Sequence, residues 1–269
     1  MKRTMGIMGF GRFGRFAASC LRNHFDIVIF DREDRGEEAE YLSVRTGTLR
    51  EVARCSIVLL CTPISSLPLA LMEITPHLVD GSLVVDTCSV KEYPVFLMKT
   101  LLPPHVSILG THPLFGPDSA SQGLQGKKIA LCPVRIQDLS CVEDFLKQLG
   151  LSVLVCSPLE HDQKMASTQA VVQFLGRAFL EMELNHQSFA TPGYETLISI
   201  LEVVQNDTWG LFRDLQTFNR FSRHMRRKLI ESLVAIDQGL GSISLPSFEP
   251  ETEEKGHESC VSGGKRRIW

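Results

Sequence analysis

Two groups of residues in this 269-residue chain have types and spacings that could do chemistry. The first is Gly9-Phe10-Gly11-Arg12-Phe13-Gly14, a G-x-G-x-x-G pattern between an apolar run and a helix-like stretch. In that context it is a dinucleotide fingerprint. Gly9 permits a tight turn, Gly11 lets the backbone approach a pyrophosphate, and Gly14 lets the helix pack close to the strand. The free N–H groups at the helix start then hold the anion. Asp31 ends the next strand candidate, 17 residues after Gly14. A carboxylate there hydrogen-bonds a ribose 2′-hydroxyl and repels a 2′-phosphate, which favours NAD. Arg32 follows at once and can accept that phosphate, so NADP stays open. Phe10, Arg12 and Phe13 sit inside the loop, and Thr62 and Pro63 follow a further strand candidate. Ligands of parallel sheets sit beyond the carboxyl ends of the strands, so all of these are candidate cofactor contacts.

The second group follows the next two strand candidates. Asp86-Thr87-Cys88-Ser89-Val90-Lys91 puts Ser89 at the same rim, and Thr111-His112-Pro113-Leu114-Phe115-Gly116-Pro117 does the same for His112. Imidazole takes a proton near neutral pH, which oxidation of an alcohol by hydride transfer requires. Further on, Met165, Gln169, Gln173 and Gly176 share one face of an expected helix. Two amides on an otherwise apolar face need partners, either a polar ligand or each other and nearby backbone. Arg213, Arg220, Arg223 and Arg227 also share a face, opposite an apolar stripe, and are expected to be solvated.

Strand candidates over 4–9, 26–30, 56–61, 82–86, 106–110, 128–132 and 152–156 alternate with helical stretches over 12–23, 65–77, 93–102 and 139–149. Short apolar strands alternating with helices predict a mostly parallel sheet covered on both faces. After residue 156 the pattern is helical. Ser157-Pro158-Leu159-Glu160 reads as a capping box with proline at the first helical position, opening a helix to about residue 184. Two more helices fit 192–204 and 208–238. The last carries a stripe of Leu211, Leu215, Phe218, Met225, Leu229, Leu233 and Ile236, a face that a sister subunit would cover. Asn206-Asp207-Thr208 reads as its start, with Asp207 a favoured cap. The expectation is an α/β chain in three parts. Residues 1–156 form a Rossmann-type dinucleotide-binding domain. Residues 157–244 form an all-helical substrate and dimerisation domain, and 245–269 a polar, disordered tail.

Composition narrows the classes. Hydrophobic residues make up 43% and charged residues 22%, and the net charge is −3, with no global basic field that would point to nucleic acid. The apolar runs fall short of a membrane span, and Met1-Lys2-Arg3-Thr4 leads into a strand rather than a secretory signal. The eight cysteines include no C-x-x-C pair, which predicts free thiols, a reducing cytoplasmic compartment and no structural metal. Fold and fingerprint alone still admit several activities. These include another two-domain Rossmann hydroxyacid or imine oxidoreductase, and a catalytically silent dinucleotide-binding regulator.

From about residue 5 to 240 the sequence resembles the prephenate/arogenate dehydrogenase family of tyrosine biosynthesis. The motifs that carry the likeness are Asp86–Lys91 (D-x-x-S-V-K), residues 111–118 (T-H-P-x-F-G-P-[DE]), Glu160-His161-Asp162 with Gln169, and Gly193-Tyr194-Glu195-Thr196-Leu197. Gly-Tyr-Glu-Thr-Leu and Ser-Val-Lys-Glu are most similar to plant-type arogenate dehydrogenases. With no chorismate mutase segment before the fingerprint, the sequence resembles the monofunctional members. The resemblance implies a Rossmann domain with a helical C-terminal domain that pairs into a homodimer. It also implies oxidative decarboxylation of a cyclohexadienol. His112 matches the histidine that accepts the hydroxyl proton, Ser89 the serine at the nicotinamide–hydroxyl junction, and Gln169 a substrate-contacting glutamine. Gln173 stands where many members have a histidine, and a neutral amide carries no charge to a substrate anion. Asp207 matches an aspartate that, in plant-type members, goes with preference for arogenate.

Overall fold

The computed structural model describes residues 2–241, so the tail expected over 245–269 lies outside the described residues. β1 (Arg3–Met8) leads through the glycine loop into α1 (Arg12–Leu21), followed by β2 (Phe25–Phe30), α2 (Gly36–Tyr41), β3 (Arg45–Thr46) and α3 (Leu49–Ala53). The chain continues through β4 (Ile57–Leu60), α4 (Leu67–Ile74), β5 (Leu83–Asp86) and α5 (Glu92–Leu101). It then forms β6 (Ser107–Pro113), β7 (Lys128–Arg135), α6 (Leu139–Gln148) and β8 (Ser152–Val155). Thereafter come α7 (Pro158–Ser167), α8 (Gln169–Glu181), α9 (Pro192–Gln205), α10 (Trp209–Phe218) and α11 (Ser222–Gly241). By internal packing, residues up to Leu229 make one unit and those from Ile230 a second. Among the described residues no helix is long and apolar enough to cross a membrane.

The strands form one sheet in the order β3-β2-β1-β4-β5-β6-β7-β8. Every pair is parallel except β6 with β7. Helices cover both faces, which explains strands that are apolar without alternation. In β4, Val58 and Leu60 enter one core cluster and Leu59 the other. β1 does likewise, with Met8 on one side and Met5 and Ile7 on the other. The strand order reverses between β1 and β4, so their carboxyl ends flank a crevice of the kind that takes a ligand. β6 runs further than its apolar stretch suggests, because Thr111 and His112 pair with Leu131 and Ala130 of the antiparallel β7. His112 is therefore held within the sheet rather than in a turn after it.

The helical part corrects four expectations. The helix expected over 158–184 breaks at Thr168, whose φ of −116° and ψ of −85° leave the helical range. The hydroxyls of Ser167 and Thr168 both donate to the Lys164 carbonyl, a local bond that competes with continuing the helix. Met165 is thus on a different helix from Gln169, Gln173 and Gly176. Ser157 caps α7 by accepting from the Glu160 N–H, but the Glu160 carboxylate accepts from Lys164 instead of closing a capping box. The helix expected over 208–238 breaks at residues 219–221, where Asn219 Oδ1 accepts from the Phe221 N–H. The stripe is consequently split. Leu215 and Phe218 pack into the chain's own core, Phe218 stacking on Tyr93 at 4.7 Å, while Leu211 is exposed. Finally, α10 is capped by Thr208, whose hydroxyl accepts from the Leu211 N–H at 3.1 Å, and not by Asp207.

Candidate active site

The crevice is built around the glycine loop. Gly9 has φ +95°, and a side chain there would put a Cβ 2.6 Å from the Cys61 carbonyl oxygen. A Cβ on Gly14 would stand 2.1 Å from the Gly9 carbonyl oxygen, so α1 can approach β1 only with glycine there. At Gly11 a Cβ would meet no protein atom, which leaves room over the loop for a pyrophosphate. Phe10 turns its ring into the core, and only its backbone borders the loop. Phe13 packs at 6.0 Å against Phe16. Asp31 accepts from the Phe10 N–H at 2.6 Å and the Glu33 N–H at 3.0 Å, joining the two loops that would border an adenosine ribose. Arg32 donates to Glu73 of α4 at 3.3 Å. Arg12 leaves the loop altogether. It donates to both carboxylate oxygens of Asp118, at 2.8 and 2.7 Å, and to the Asn206 carbonyl. Thr62 keeps a buried hydroxyl with no partner, and exposed Pro63 precedes a turn whose Ser65 N–H and hydroxyl both donate to Asp214 of α10.

Along the same edge, β5 carries Asp86, the loop after it carries Ser89, and β6 carries His112. Asp86 and Lys91 form a completely buried ion pair. Lys91 also donates to the Thr111 carbonyl, while the Thr111 hydroxyl donates to the Asp86 carbonyl at 2.6 Å. This cross-bracing fixes the loop that bears Ser89 against the strand that bears His112. The Ser89 hydroxyl is buried and unpartnered. His112 is 4% exposed, and its Nδ1 lies 2.9 Å from Nε2 of His161 on α7. The Nδ1 of His161 lies 2.7 Å from Oδ1 of Asp162. Burial, then His161 and Lys91, hold His112 well below the ordinary imidazole range, so the ring is neutral. Burial pushes the Cys61 thiol up to about 12 and raises the Cys88 thiol well above the ordinary thiol range, so neither is a thiolate nucleophile.

On the helical side, Gln169 and Gln173 each keep a buried, unpartnered Oε1. Gln173 donates through Nε2 to Asp207 at 2.5 Å. Burial pushes the half-buried Asp207 carboxyl up, opposed by Gln173 and by the nearby Arg12 and Arg177. Arg177 donates to the Asp207 carbonyl and stacks over Trp209 and Phe212, holding this turn. Of five buried, unpartnered side-chain oxygens among the described residues, those of Thr62, Ser89, Gln169 and Gln173 belong to residues singled out from sequence, and the fifth is Ser82 Oγ just before β5. Buried polar atoms without partners are uncommon and fit groups that await a polar ligand. Asp86, Lys91, His161, Asp162 and Arg177 had no assigned role there. The first four lie inside the quoted motifs, but spacing alone did not say what they touch.

Fold and site define a Rossmann-type dinucleotide-binding protein with a buried histidine at the carboxyl edge of its sheet. Residues 17–158 match the family model described as prephenate dehydrogenase, nucleotide-binding domain, and residues 178–244 match TYRAAT1-like, C-terminal domain. Arogenate dehydrogenase 2, chloroplastic, of Arabidopsis thaliana is 30% identical over 257 residues, covering 91% of this chain and 70% of that protein. Arogenate dehydrogenase 1, chloroplastic, of the same plant is 30% identical over 269 residues, covering 93% of this chain and 42% of that protein. The crystal structure of prephenate dehydrogenase from A. aeolicus in complex with hydroxyphenyl propionate and NAD+ shares the fold. Its TM-score is 0.72 at 18% identity, over 90% of this chain and 91% of that one. The chain belongs to the prephenate dehydrogenase family, and arogenate dehydrogenases are among its relatives.

Proposed function

We propose that the protein is a nicotinamide-dependent dehydrogenase that oxidatively decarboxylates arogenate, prephenate or both. The observation that carries this reading is His112, a neutral, buried imidazole with one nitrogen engaged by His161, on the sheet edge that continues from the glycine loop. Relatives of that activity support it. Gly9, Gly11 and Gly14 would hold the dinucleotide, with Asp31 on the adenosine ribose and Thr62 along the groove. When bound, the nicotinamide supplies the hydride acceptor. His112 takes the proton of the ring C4 hydroxyl as C4 is oxidised, and Ser89 orients that hydroxyl. Carbon dioxide then leaves C1, the ring becomes aromatic, and His112 returns the proton to the phenolate oxygen. Orientation and one base suffice for this sequence of events. Gln169 and Gln173 contact the substrate, and Asp207 favours the ammonium of arogenate.

Arg32 is engaged by Glu73 and Asp31 stands at the ribose position, so NAD is the preferred cofactor in this reading. The exposed Leu211, Leu233 and Ile236, 43%, 53% and 62% accessible, support a homodimer through the helical part. We keep a functional division near residue 156 and, from the free thiols, a cytoplasmic location as parts of the proposal. The test is formation of reduced nicotinamide with each substrate and each of NAD and NADP. His112→Asn should still bind cofactor and lose on the order of 10²- to 10⁴-fold in kcat. Turnover of neither substrate with either cofactor would refute the reading, and a near-normal kcat in His112→Asn would remove His112 from the mechanism.

A further inference from the structure

His112 has two ring nitrogens, and only an unprotonated one can take the substrate proton. We infer that His161 and Asp162 are positioning residues that fix the tautomer of His112, with the proton on Nδ1 and the lone pair on Nε2; their kinetic role rests on the dehydrogenase reading above.

The assignment follows from the far end of the chain of bonds. Asp162 accepts the Lys91 N–H at Oδ1, 2.7 Å, and the Glu92 N–H at Oδ2, 2.9 Å. These amides open α5 and have no acceptor within the helix, so the carboxylate caps that end and meets the positive end of its dipole. A carboxylate receives protons and offers none, so His161 Nδ1, 2.7 Å from Oδ1, is a donor. A neutral imidazole protonated at Nδ1 is bare at Nε2. That bare nitrogen is the one 2.9 Å from His112 Nδ1, so His112 donates to it and keeps its own Nε2 unprotonated. Both rings and Asp162 are buried. Burial holds the two imidazoles below their ordinary range, with Lys91 acting in the same direction on both and Asp162 opposing it at His161. The other charged groups around the pair, Asp86 and Lys91, are paired with each other. The Asn219 side chain donates to the Asp162 carbonyl at 2.8 Å and anchors the residue from the turn before α11. When His112 takes the substrate proton at Nε2, its Nδ1–H remains on His161, with the carboxylate behind it.

The test uses the full chain with ¹⁵N-labelled histidine. Long-range ¹H–¹⁵N spectra report which nitrogen of His112 carries the proton, independently of turnover. Wild type should show Nδ1 protonated and Nε2 bare. His161→Phe removes the acceptor, so His112 should move toward the Nε2-protonated form and kcat should fall roughly 10- to 100-fold, with KM for the cofactor little changed. His161→Gln offers a carboxamide oxygen to the same N–H and should restore the Nδ1 form and most of the rate. A structural role alone would affect both variants alike. A wild-type proton on Nε2 would overturn the inference without any variant. So would a His161→Phe kcat within about twofold of wild type, or a His161→Gln variant no better than His161→Phe. If wild type turns over neither substrate, the dehydrogenase reading fails while the spectrum still decides the tautomer.

Discussion

Asp207→Asn tests substrate choice through one charge. The carboxylate is half-buried in the turn between α9 and α10 and accepts from Gln173 at 2.5 Å. Arogenate presents an ammonium where prephenate presents a keto group, so a carboxylate attracts the first and offers the second no donor, while the side-chain carboxylate is common to both. At about 4 Å and an effective dielectric near 20, that attraction is ~4 kcal/mol. Desolvation consumes much of it, and fully exposed pairs keep less than about 1 kcal/mol. A net effect of about 1–3 kcal/mol corresponds to roughly 5- to 150-fold in the ratio of kcat/KM for arogenate over prephenate. The variant is clean because Thr208, not Asp207, caps α10, and because asparagine keeps an oxygen for Gln173. The pH dependence adds a second reading. Burial raises the Asp207 carboxyl above its ordinary range, so its charge is lost at a higher pH than for a free aspartate. The wild-type ratio should therefore drift toward prephenate as pH falls, and the Asp207→Asn ratio should stay flat. Initial rates on both substrates across pH, with a melting curve for each protein, make the measurement. An unchanged ratio in the variant, or a wild type that turns over prephenate alone, would refute the role of this charge.

Cofactor choice should respond to two residues rather than one. Asp31→Ser alone should raise NADP use modestly, because Glu73 still holds Arg32, and Asp31→Ser with Glu73→Gln should raise it further. Steady-state kcat/KM for both cofactors checks this, and a wild type that strongly prefers NADP would contradict it. Stability should also fall in acid. His112 titrates well below the unfolded value of about 6.5, so between the two the unfolded chain binds the extra proton. Its contribution is intact above about pH 6.5 and is lost below it, at up to about 1.4 kcal/mol per pH unit. Denaturant melts should show a shallower acid loss in His112→Gln than in wild type, and equal slopes would count against a neutral buried ring.

The sheet and the glycine loop were legible because their constraints are local. Val58-Leu59-Leu60 is apolar on both faces since both faces are covered, and Gly9 and Gly14 are glycine since a Cβ would strike backbone within 2.6 Å. His112 was legible as a site residue because strand order puts it on the ligand edge. What it touches was not, since His161 lies 49 residues away and reaches it only through the packing of α7 against α5. Arg12 shows the opposite failure. Its place in the loop suggests a phosphate contact, but Asp118 and Asn206, far along the chain, take its guanidinium. Helical periodicity misled at Thr168 and Asn219, because the apolar spacing resumes in phase after each break and hides it.

Asn219 shows why that hidden break matters to chemistry. A continuous helix through 219–221 would commit the chain to one axis there and leave its side chains on the faces that the periodicity assigns. The break frees Asn219 to do two things at once. Its Oδ1 accepts from the Phe221 N–H at 3.0 Å at the start of α11, and its Nδ2 donates to the Asp162 carbonyl at 2.8 Å. Asp162 in turn holds the first amides of α5 and the ring of His161. Asp162 thus joins, through its carboxylate, the start of α5 after the loop that carries Ser89 to the ring of His161, and, through its backbone carbonyl, both to the turn between α10 and α11. Ser89 and His112 come from neighbouring strands and are braced by the buried Asp86–Lys91 pair, but the orientation of His112's proton is set from the helical half. The helices after residue 156 therefore do more than cover the sheet: they supply the partner that leaves the base of the sheet-edge histidine free.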